Sequence, residues 1–322
     1  MSKIIKQLAI ISRAEFLLPN LGSLIMGLAW GANPSLNLTS MVVLMALSFT
    51  IINLSSAIGA QANTISDYEL DSKDHRKKEL VQAYDDFGHN RLKHLLIGEL
   101  VATLVLVTIF MLANARPILL PMWIVGISLG YLYSAPPLRI KARSWLAPVT
   151  LILVLGVFPV LFAYFTFTSE LDPIFPVALT GLALTIYGVI IPTEIRDYFG
   201  DREMNIETMT VHLGLGKASL LSILLLSLGG TFIGTAFYIK FIHGLYPLLS
   251  LLVVAIAVTD LVVLQKFMKL YRLSNEYENS TNGKSIAQEI TRLSSNNPKW
   301  IMLVTQTYSF ISIIMLLSKF LH

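Results

Sequence analysis

Residues 38–71 read LTSMVVLMALSFTIINLSSAIGAQANTISDYELD. Positions 38–61 contain no charged side chain and exceed the roughly 20 apolar residues that a helix needs to cross a bilayer. Directly after this run come Asn63, Asp67 and Asp71, three oxygen-bearing side chains at steps of four. On a helix that spacing places them on one face. The stretch therefore reads as a membrane span whose end carries an acidic face into the aqueous interface.

The rest of the chain repeats this pattern. It has 322 residues, 54% of them hydrophobic and only 14% charged, with a mean hydropathy of +0.67. Soluble domains carry about 25% charged residues, so this chain lacks a water-facing shell. Apolar runs fall at roughly 15–31, 38–61, 94–113, 117–134, 146–168, 173–193, 218–239, 245–265 and 300–320. The expectation is an all-α integral membrane protein of nine transmembrane helices. The first run is interrupted by Pro19 and Gly22, and the fourth is short and runs into Pro136 and Pro137. Lys3, Lys6 and Arg13 precede the first run, but no small-residue cleavage site follows it, so no signal peptide is expected. The absence of cysteine removes disulfide and thiolate chemistry. The net charge of +4 belongs to membrane topology; no nucleic-acid partner is expected, whereas membrane lipids are.

With nine spans, all but three of the 24 Lys and Arg fall on one side; Arg116, Lys240 and Lys319 fall on the other. The positive-inside rule then places the N-terminus and the charged loops in the cytoplasm and the C-terminus outside. The longest cytoplasmic loops are 66–93 and 266–299. Segment 274–298 is expected to be a solvated loop carrying one short helix.

A second acidic motif ends the sixth run: Thr193-Glu-Ile-Arg-Asp197-Tyr-Phe-Gly-Asp201. Positions 63, 67 and 71 and positions 193, 197 and 201 share one offset of 130, and Tyr68 and Tyr198 match at it too. Such internal symmetry suggests two related bundles, about 1–144 and 145–322 of a single domain, around a central cavity. Paired carboxylates are hard oxygen ligands, and Mg²⁺ is held by one or two of them together with phosphate oxygens and water. Two such pairs suit a Mg²⁺–diphosphate, with the metal neutralising charge as a C–O bond breaks. The bland alternative is that these aspartates merely mark helix ends at the interface.

These residues resemble the UbiA superfamily of intramembrane prenyltransferases. Asn63, Asp67 and Asp71 match the family's NxxxDxxxD motif, and Asp197 and Asp201 match its DxxxD motif. The stretch from Arg196 to Arg202, followed by Thr208-Met-Thr-Val-His-Leu-Gly214, is similar to the family's D-x-E-G-D-R…T-L-x-V-x-L-G. Tyr133-Ser-Ala-Pro-Pro-Leu-Arg139-Ile-Lys141 is similar to its Y-S-x-P-P-x-R-x-K segment. The resemblance implies Mg²⁺-dependent transfer of a polyprenyl group from an allylic diphosphate to a hydrophobic or aromatic acceptor. Asp67, Asp71, Asp197 and Asp201 would hold the Mg²⁺–diphosphate, assisted by Asn63. Arg139 and Lys141 would pair with phosphate oxygens, as would Arg202 unless it only sets topology. By position, Glu194 reads as supporting the second motif or orienting the acceptor, and Tyr131 and Tyr133 as lining the carbocation path or anchoring the interface. The chain departs from the family where Thr64 follows Asn63, and where the segment from Lys73 through His75 to Glu79 lacks two prolines.

Glu99 and Asp260 are ionisable groups at membrane depth and count as candidates, Asp260 being expected near the cytoplasmic interface. His75, His89, His94 and His212 show no zinc-ligand spacing. Arg13 reads as a headgroup contact, with an acidic group of the acceptor as the alternative. The expected acceptor is an aromatic quinone or menaquinone precursor, in a prokaryotic plasma membrane. A lipid or carotenoid acceptor, or intramolecular quenching in a terpene cyclase, stays open. A transporter should place its ionisable groups near mid-membrane and fits less well.

Overall fold

Inside a bilayer no water satisfies peptide N–H and C=O groups, so spanning segments bond within themselves as helices. The computed structural model describes residues 3–32, 36–73, 77–203, 206–244, 247–280 and 283–320. Among these there are helices and no strands. In chain order they are α1 (Lys3–Ile11), α2 (Leu17–Gly31), α3 (Leu38–Asp71), α4 (Lys78–Phe87), α5 (His89–Asn114), α6 (Leu119–Ser134) and α7 (Leu146–Ile152). They continue with α8 (Phe158–Phe167), α9 (Phe175–Glu203), α10 (Met209–Leu213), α11 (Leu215–Ile242), α12 (Val253–Asn279), α13 (Lys284–Ser294) and α14 (Asn297–Phe320).

Seven helices among the described residues are long and apolar enough to cross a membrane. An eighth crossing results if α1 and the 14–31 helix, bent by 66°, form one broken span. The bend follows Arg13, whose φ of 53° is left-handed and cannot continue a right-handed helix. The expected fourth span is α6, only 16 residues long, or about 24 Å at 1.5 Å per residue. It therefore falls short of the roughly 30 Å hydrocarbon core. Of the nine expected crossings the described residues thus support seven, or eight with the bent pair, and α6 is by length too short to count as the ninth. Segment 274–298 carries the one short helix expected there, α13. Helix α12 runs on to Asn279, and α13 buries Ile290 completely.

The chain divides into two compact units, Met1–Ile140 with Phe158–Ser169, and Lys141–Val157 with Glu170–His322. In the first, α2 and α8 touch backbone to backbone because Gly27 and Gly31 lie one turn apart. A Cβ at Gly27 would stand 2.5 Å from Ala163 Cβ and 2.6 Å from Val160 O; one at Gly31 would stand 2.6 Å from Tyr164 O. Small residues spaced four apart are how helices approach closely in lipid, where apolar attraction between helices is absent. Leu24, Ile51, Phe110, Trp123 and Phe162 fill the core of this unit.

In the second unit α9 and α11 use the same device. A Cβ at Gly181 would stand 2.5 Å from Ile233 N, and one at Gly229 2.6 Å from Thr185 N. Pro192 interrupts α9 five residues before Asp197. Having no N–H, it cannot bond the carbonyl of Gly188. That carbonyl instead accepts a 2.5 Å bond from the Ser222 hydroxyl on α11. One residue on, Asn297 Nδ2 bonds both Val189 O at 2.5 Å and Thr193 Oγ1 at 2.8 Å. The neighbouring helices thus satisfy the groups the proline disturbs and hold the segment leading to the second acidic motif.

Candidate functional site

Helix α3 has 34 residues, about 51 Å of helix, so its last turns extend beyond a roughly 30 Å core. Those turns carry Asn63, Asp67 and Asp71. At its 29 residues, α9 likewise carries Asp197 and Asp201 out at its C-terminal end. A helix C-terminus bears partial negative charge and favours cations, and acids four apart repel one another. Each pair therefore stands where local energetics disfavour it unless positive charge is supplied.

In the first unit that charge is present. Asp67 is buried, and the Arg139 guanidinium lies 3.5 Å from its Oδ1. Arg139 adopts φ 42°, a left-handed conformation uncommon outside glycine. Lys77 approaches Asp71 at 3.8 Å. The Ser134 hydroxyl, at the end of α6, donates to Asn63 Oδ1 at 2.5 Å. Tyr133, its neighbour, is half-buried, whereas Tyr131 is exposed. Asn63, Asp67 and Arg139 are thus gathered at one end of this unit, with Ser134 and Lys77 as partners that spacing alone had not identified. Asp74, His75 and Arg76 of the segment lacking the two prolines lie outside the described residues.

In the second unit Arg196 grips Asp197 with two hydrogen bonds, Nε to Oδ1 at 3.1 Å and Nη2 to Oδ2 at 2.8 Å. This fork-on-carboxylate geometry is the strong form of an ion pair. Arg196 was not among the expected site residues. Adjacent residues on a helix point about 100° apart, so only side-chain placement shows the contact. Glu194 accepts from the Thr210 hydroxyl at 2.9 Å and from Thr210 N at 3.3 Å. It thereby ties α9 to the first turn of α10, a job separate from orienting an acceptor. Arg202 is exposed and approaches the Tyr198 hydroxyl at 3.5 Å. Lys141 opens the second unit within a short 3₁₀ turn, Ile140–Ala142.

Among the described residues no cluster of three or more His, Asp or Glu side chains could enclose a metal ion. Mg²⁺ takes one or two carboxylates and completes its shell with phosphate oxygens and water. The donors present, carboxylate pairs with guanidinium and ammonium groups beside them, match a metal arriving with a polyanion.

Glu99 accepts from Gln61 at 2.8 Å. Asp260, expected near the cytoplasmic interface, belongs to the second unit. It is buried between α12 and α11, its Oδ2 so near Gly230 that a Cβ there would stand 1.8 Å away. Along α11, Gly230 lies thirteen residues from Lys217, about 20 Å into the helix.

The sequence profile of the UbiA prenyltransferase family matches residues 18–272. The chain belongs to the UbiA prenyltransferase family. It is a prenyltransferase of the integral-membrane type. Among curated proteins no sequence matches the chain. Among solved structures, a digeranylgeranylglyceryl phosphate synthase superposes with a TM-score of 0.69 at 16% identity, covering 97% of this chain and 100% of its own. A UbiA homologue from Archaeoglobus fulgidus bound to GPP and Mg²⁺ gives a TM-score of 0.61 at 16% identity, over 92% of this chain and 99% of its own. The same homologue bound to DMAPP and Mg²⁺ gives 0.61 at 17% identity. At these identities the likeness is one of fold.

Proposed function

We propose that this UbiA-family protein is a Mg²⁺-dependent enzyme that transfers a polyprenyl group from an allylic diphosphate to an aromatic quinone or menaquinone precursor. The observation that carries the reading is the placement of both acidic pairs at helix C-termini, each with an arginine at its first aspartate. Carboxylates kept where the helix dipole opposes them call for a cationic ligand, and the homologue bound to GPP and Mg²⁺ supplies the precedent.

In this reading Asp67, Asp71, Asp197 and Asp201 hold the metal–diphosphate, and Asn63, fixed by Ser134, adds an oxygen. When bound, Mg²⁺ neutralises the charge developing on the departing diphosphate. Arg139, Lys141 and Arg202 bind phosphate oxygens. Arg196, which clasps Asp197, would have to share that carboxylate with a bound Mg²⁺. Tyr133 offers an aromatic face to the allylic cation, and apolar helix surfaces exclude the water that would quench it. Glu194 retains its acceptor-orienting role only if Thr210 shares it.

The proposal extends to topology: nine crossings counting the bent pair and α6, two related halves at about 1–144 and 145–322, a prokaryotic plasma membrane, and the N-terminus and motif loops in the cytoplasm. Because the chain has no cysteine, single cysteines at Lys77 and Lys240 report sidedness directly. They should react with an impermeant maleimide from opposite sides, and labelling from one side overturns this topology.

A second reading replaces the aromatic acceptor with a glyceryl phosphate lipid. It is favoured by the fit to the digeranylgeranylglyceryl phosphate synthase, at a TM-score of 0.69 against 0.61 for the Archaeoglobus fulgidus homologue. Purified protein with Mg²⁺ and geranylgeranyl diphosphate, given aromatic or glyceryl phosphate acceptors and read by mass spectrometry, separates the two. A cyclic hydrocarbon formed without acceptor would move the protein to the cyclases. Absence of diphosphate release under every condition would refute prenyl transfer.

A further inference from the structure

The back of the motif-bearing segment of α3 is held by two polar ties that the proposed chemistry leaves unused. Successive helical residues lie 100° apart, so Gln61, Ile65 and Tyr68 share a face roughly 130° around the helix from Asn63, Asp67 and Asp71. At one end of this face Gln61 is fully buried and donates from Nε2 to Glu99 Oε2 at 2.8 Å and to Ser12 Oγ at 3.0 Å. At the other end the Tyr68 hydroxyl donates to Asp85 Oδ1 at 2.8 Å, the oxygen that His89 Nε2 also meets at 2.8 Å.

The second tie is reinforced by rings. Tyr84 stacks on His89 with centroids 4.2 Å apart, and Tyr68 sets its edge against both, at 4.7 Å from His89 and 5.4 Å from Tyr84. Between the ties Ile65 packs against a cluster of Ile11, Ala83, Tyr84 and Leu92. The hydrogen bond from His89 holds the Asp85 carboxyl below the usual carboxylate range; burial opposes this, and the Tyr68 hydroxyl and the nearby His89 ring add smaller lowering contributions. Helix α4 is further anchored through Asp86, which accepts from Gln7 at 3.2 Å and pairs with Lys3 at 3.1 Å on α1.

We propose that Gln61 and the Tyr68–Asp85–His89 tie are positioning residues that set the rotational phase of the last turns of α3. They thereby set the direction in which Asn63, Asp67 and Asp71 present their oxygens. The last four carbonyls of a helix lack intrahelical partners, and the acidic pair repels itself. Without external ties these turns would be the least ordered part of α3. The second motif is positioned otherwise: Tyr198, the counterpart of Tyr68, is buried in an apolar cluster, and Asn297 and Ser222 hold α9 from the side.

The inference rests on the prenyl-transfer reading of Asp67 and Asp71, and its test keeps the two apart. The Mg²⁺ concentration for half-maximal diphosphate release and kcat at saturating Mg²⁺ are measured for wild type, Tyr68→Phe, Asp85→Ala and Asp85→Asn. Mn²⁺ affinity is read in parallel by electron paramagnetic resonance, which needs no turnover. Tyr68→Phe and Asp85→Ala should raise the half-saturating Mg²⁺ and weaken Mn²⁺ about tenfold, with kcat at saturation within about twofold of wild type. Asp85→Asn, which keeps an acceptor oxygen for Tyr68, should recover most of this loss. Unchanged metal dependence in Tyr68→Phe, or Asp85→Asn as impaired as Asp85→Ala, overturns the inference. Tyr68→Phe, which keeps its ring packing, decides the matter if Asp85→Ala does not fold. A wild-type protein that binds Mn²⁺ but releases no diphosphate refutes prenyl transfer and leaves the positioning claim to the Mn²⁺ affinities.

Discussion

Asp67→Asn separates a metal ligand from a helix-end ornament, because asparagine keeps the shape of aspartate and removes only its charge. On stability the change has opposing effects. It relieves the unfavourable placement of an anion at the α3 C-terminus, about 0.3–1 kcal/mol, and the repulsion from Asp71, about 0.2–0.5 kcal/mol. It loses the ion pair with Arg139 at 3.5 Å, whose guanidinium side is 42% exposed. Partly solvated pairs contribute only about 0–1 kcal/mol. The sum runs from a loss of about 0.5 to a gain of about 1.5 kcal/mol, so Asp67→Asn should melt in detergent near or slightly above the wild-type temperature. Its turnover should behave differently, since removing one group that stabilises developing charge costs about 10²–10³ in kcat. The assay is Mg²⁺-dependent diphosphate release from geranylgeranyl diphosphate, with a thermal melt on the same preparation. Retention of more than about a tenth of wild-type turnover would refute the ligand assignment. Lost activity with a collapsed melting temperature would mean that Asp67 serves the fold through Arg139.

Three further outcomes follow from packing and charge. Gly230→Ala places a Cβ 1.8 Å from Asp260 Oδ2 and should destabilise the protein by about 1–3 kcal/mol; adding Asp260→Ala should recover part of this in a thermal melt, and an unaffected Gly230→Ala would contradict the contact. Ser222→Ala strands the Gly188 carbonyl inside α9 and should cost about 1–3 kcal/mol. The same change in a Pro192→Ala background, which restores the missing N–H, should cost measurably less; equal penalties would show that the hydroxyl does not compensate for the proline. Burial alone would push the Asp172 carboxyl up, but the hydrogen bond from Lys240, the Ile174 N–H and the nearby Lys240 and Lys319 charges together hold it below its usual value of 3.8. A lowered folded-state pKa gives stability that is present above the unfolded value and lost as pH falls through the folded one, here below about pH 4. Wild type should therefore lose more melting temperature than Asp172→Asn between neutral pH and pH 3, and parallel losses would remove Asp172 as a source of acid sensitivity.

Much of this was legible in one dimension. Apolar run length settles that a segment crosses the membrane, because bilayer thickness and helix rise are both constants, and steps of four settle that Asn63, Asp67 and Asp71 share a face. Helix ends were less legible. The bend after Arg13 arises from a single left-handed residue and leaves no hydropathy signature, whereas the shortness of α6 was already visible in the prolines that bound it. The run of polar residues at 274–298 allowed for a short helix but not for its bounds, because the few apolar side chains of α13, Ile290 among them, declare themselves only against a neighbouring surface.

The sequence by itself therefore determined the class of fold, the two acidic faces and their family, since each depends on residue type and local spacing. Only the tertiary structure decided which cation meets which acid, that Arg196 clasps Asp197, that Ser134 fixes Asn63, and that Tyr68 and Gln61 brace α3 from behind. Those contacts depend on where helices distant in sequence cross and how their side chains rotate. That is settled by close packing between glycine-lined surfaces and by the requirement that buried polar groups find partners.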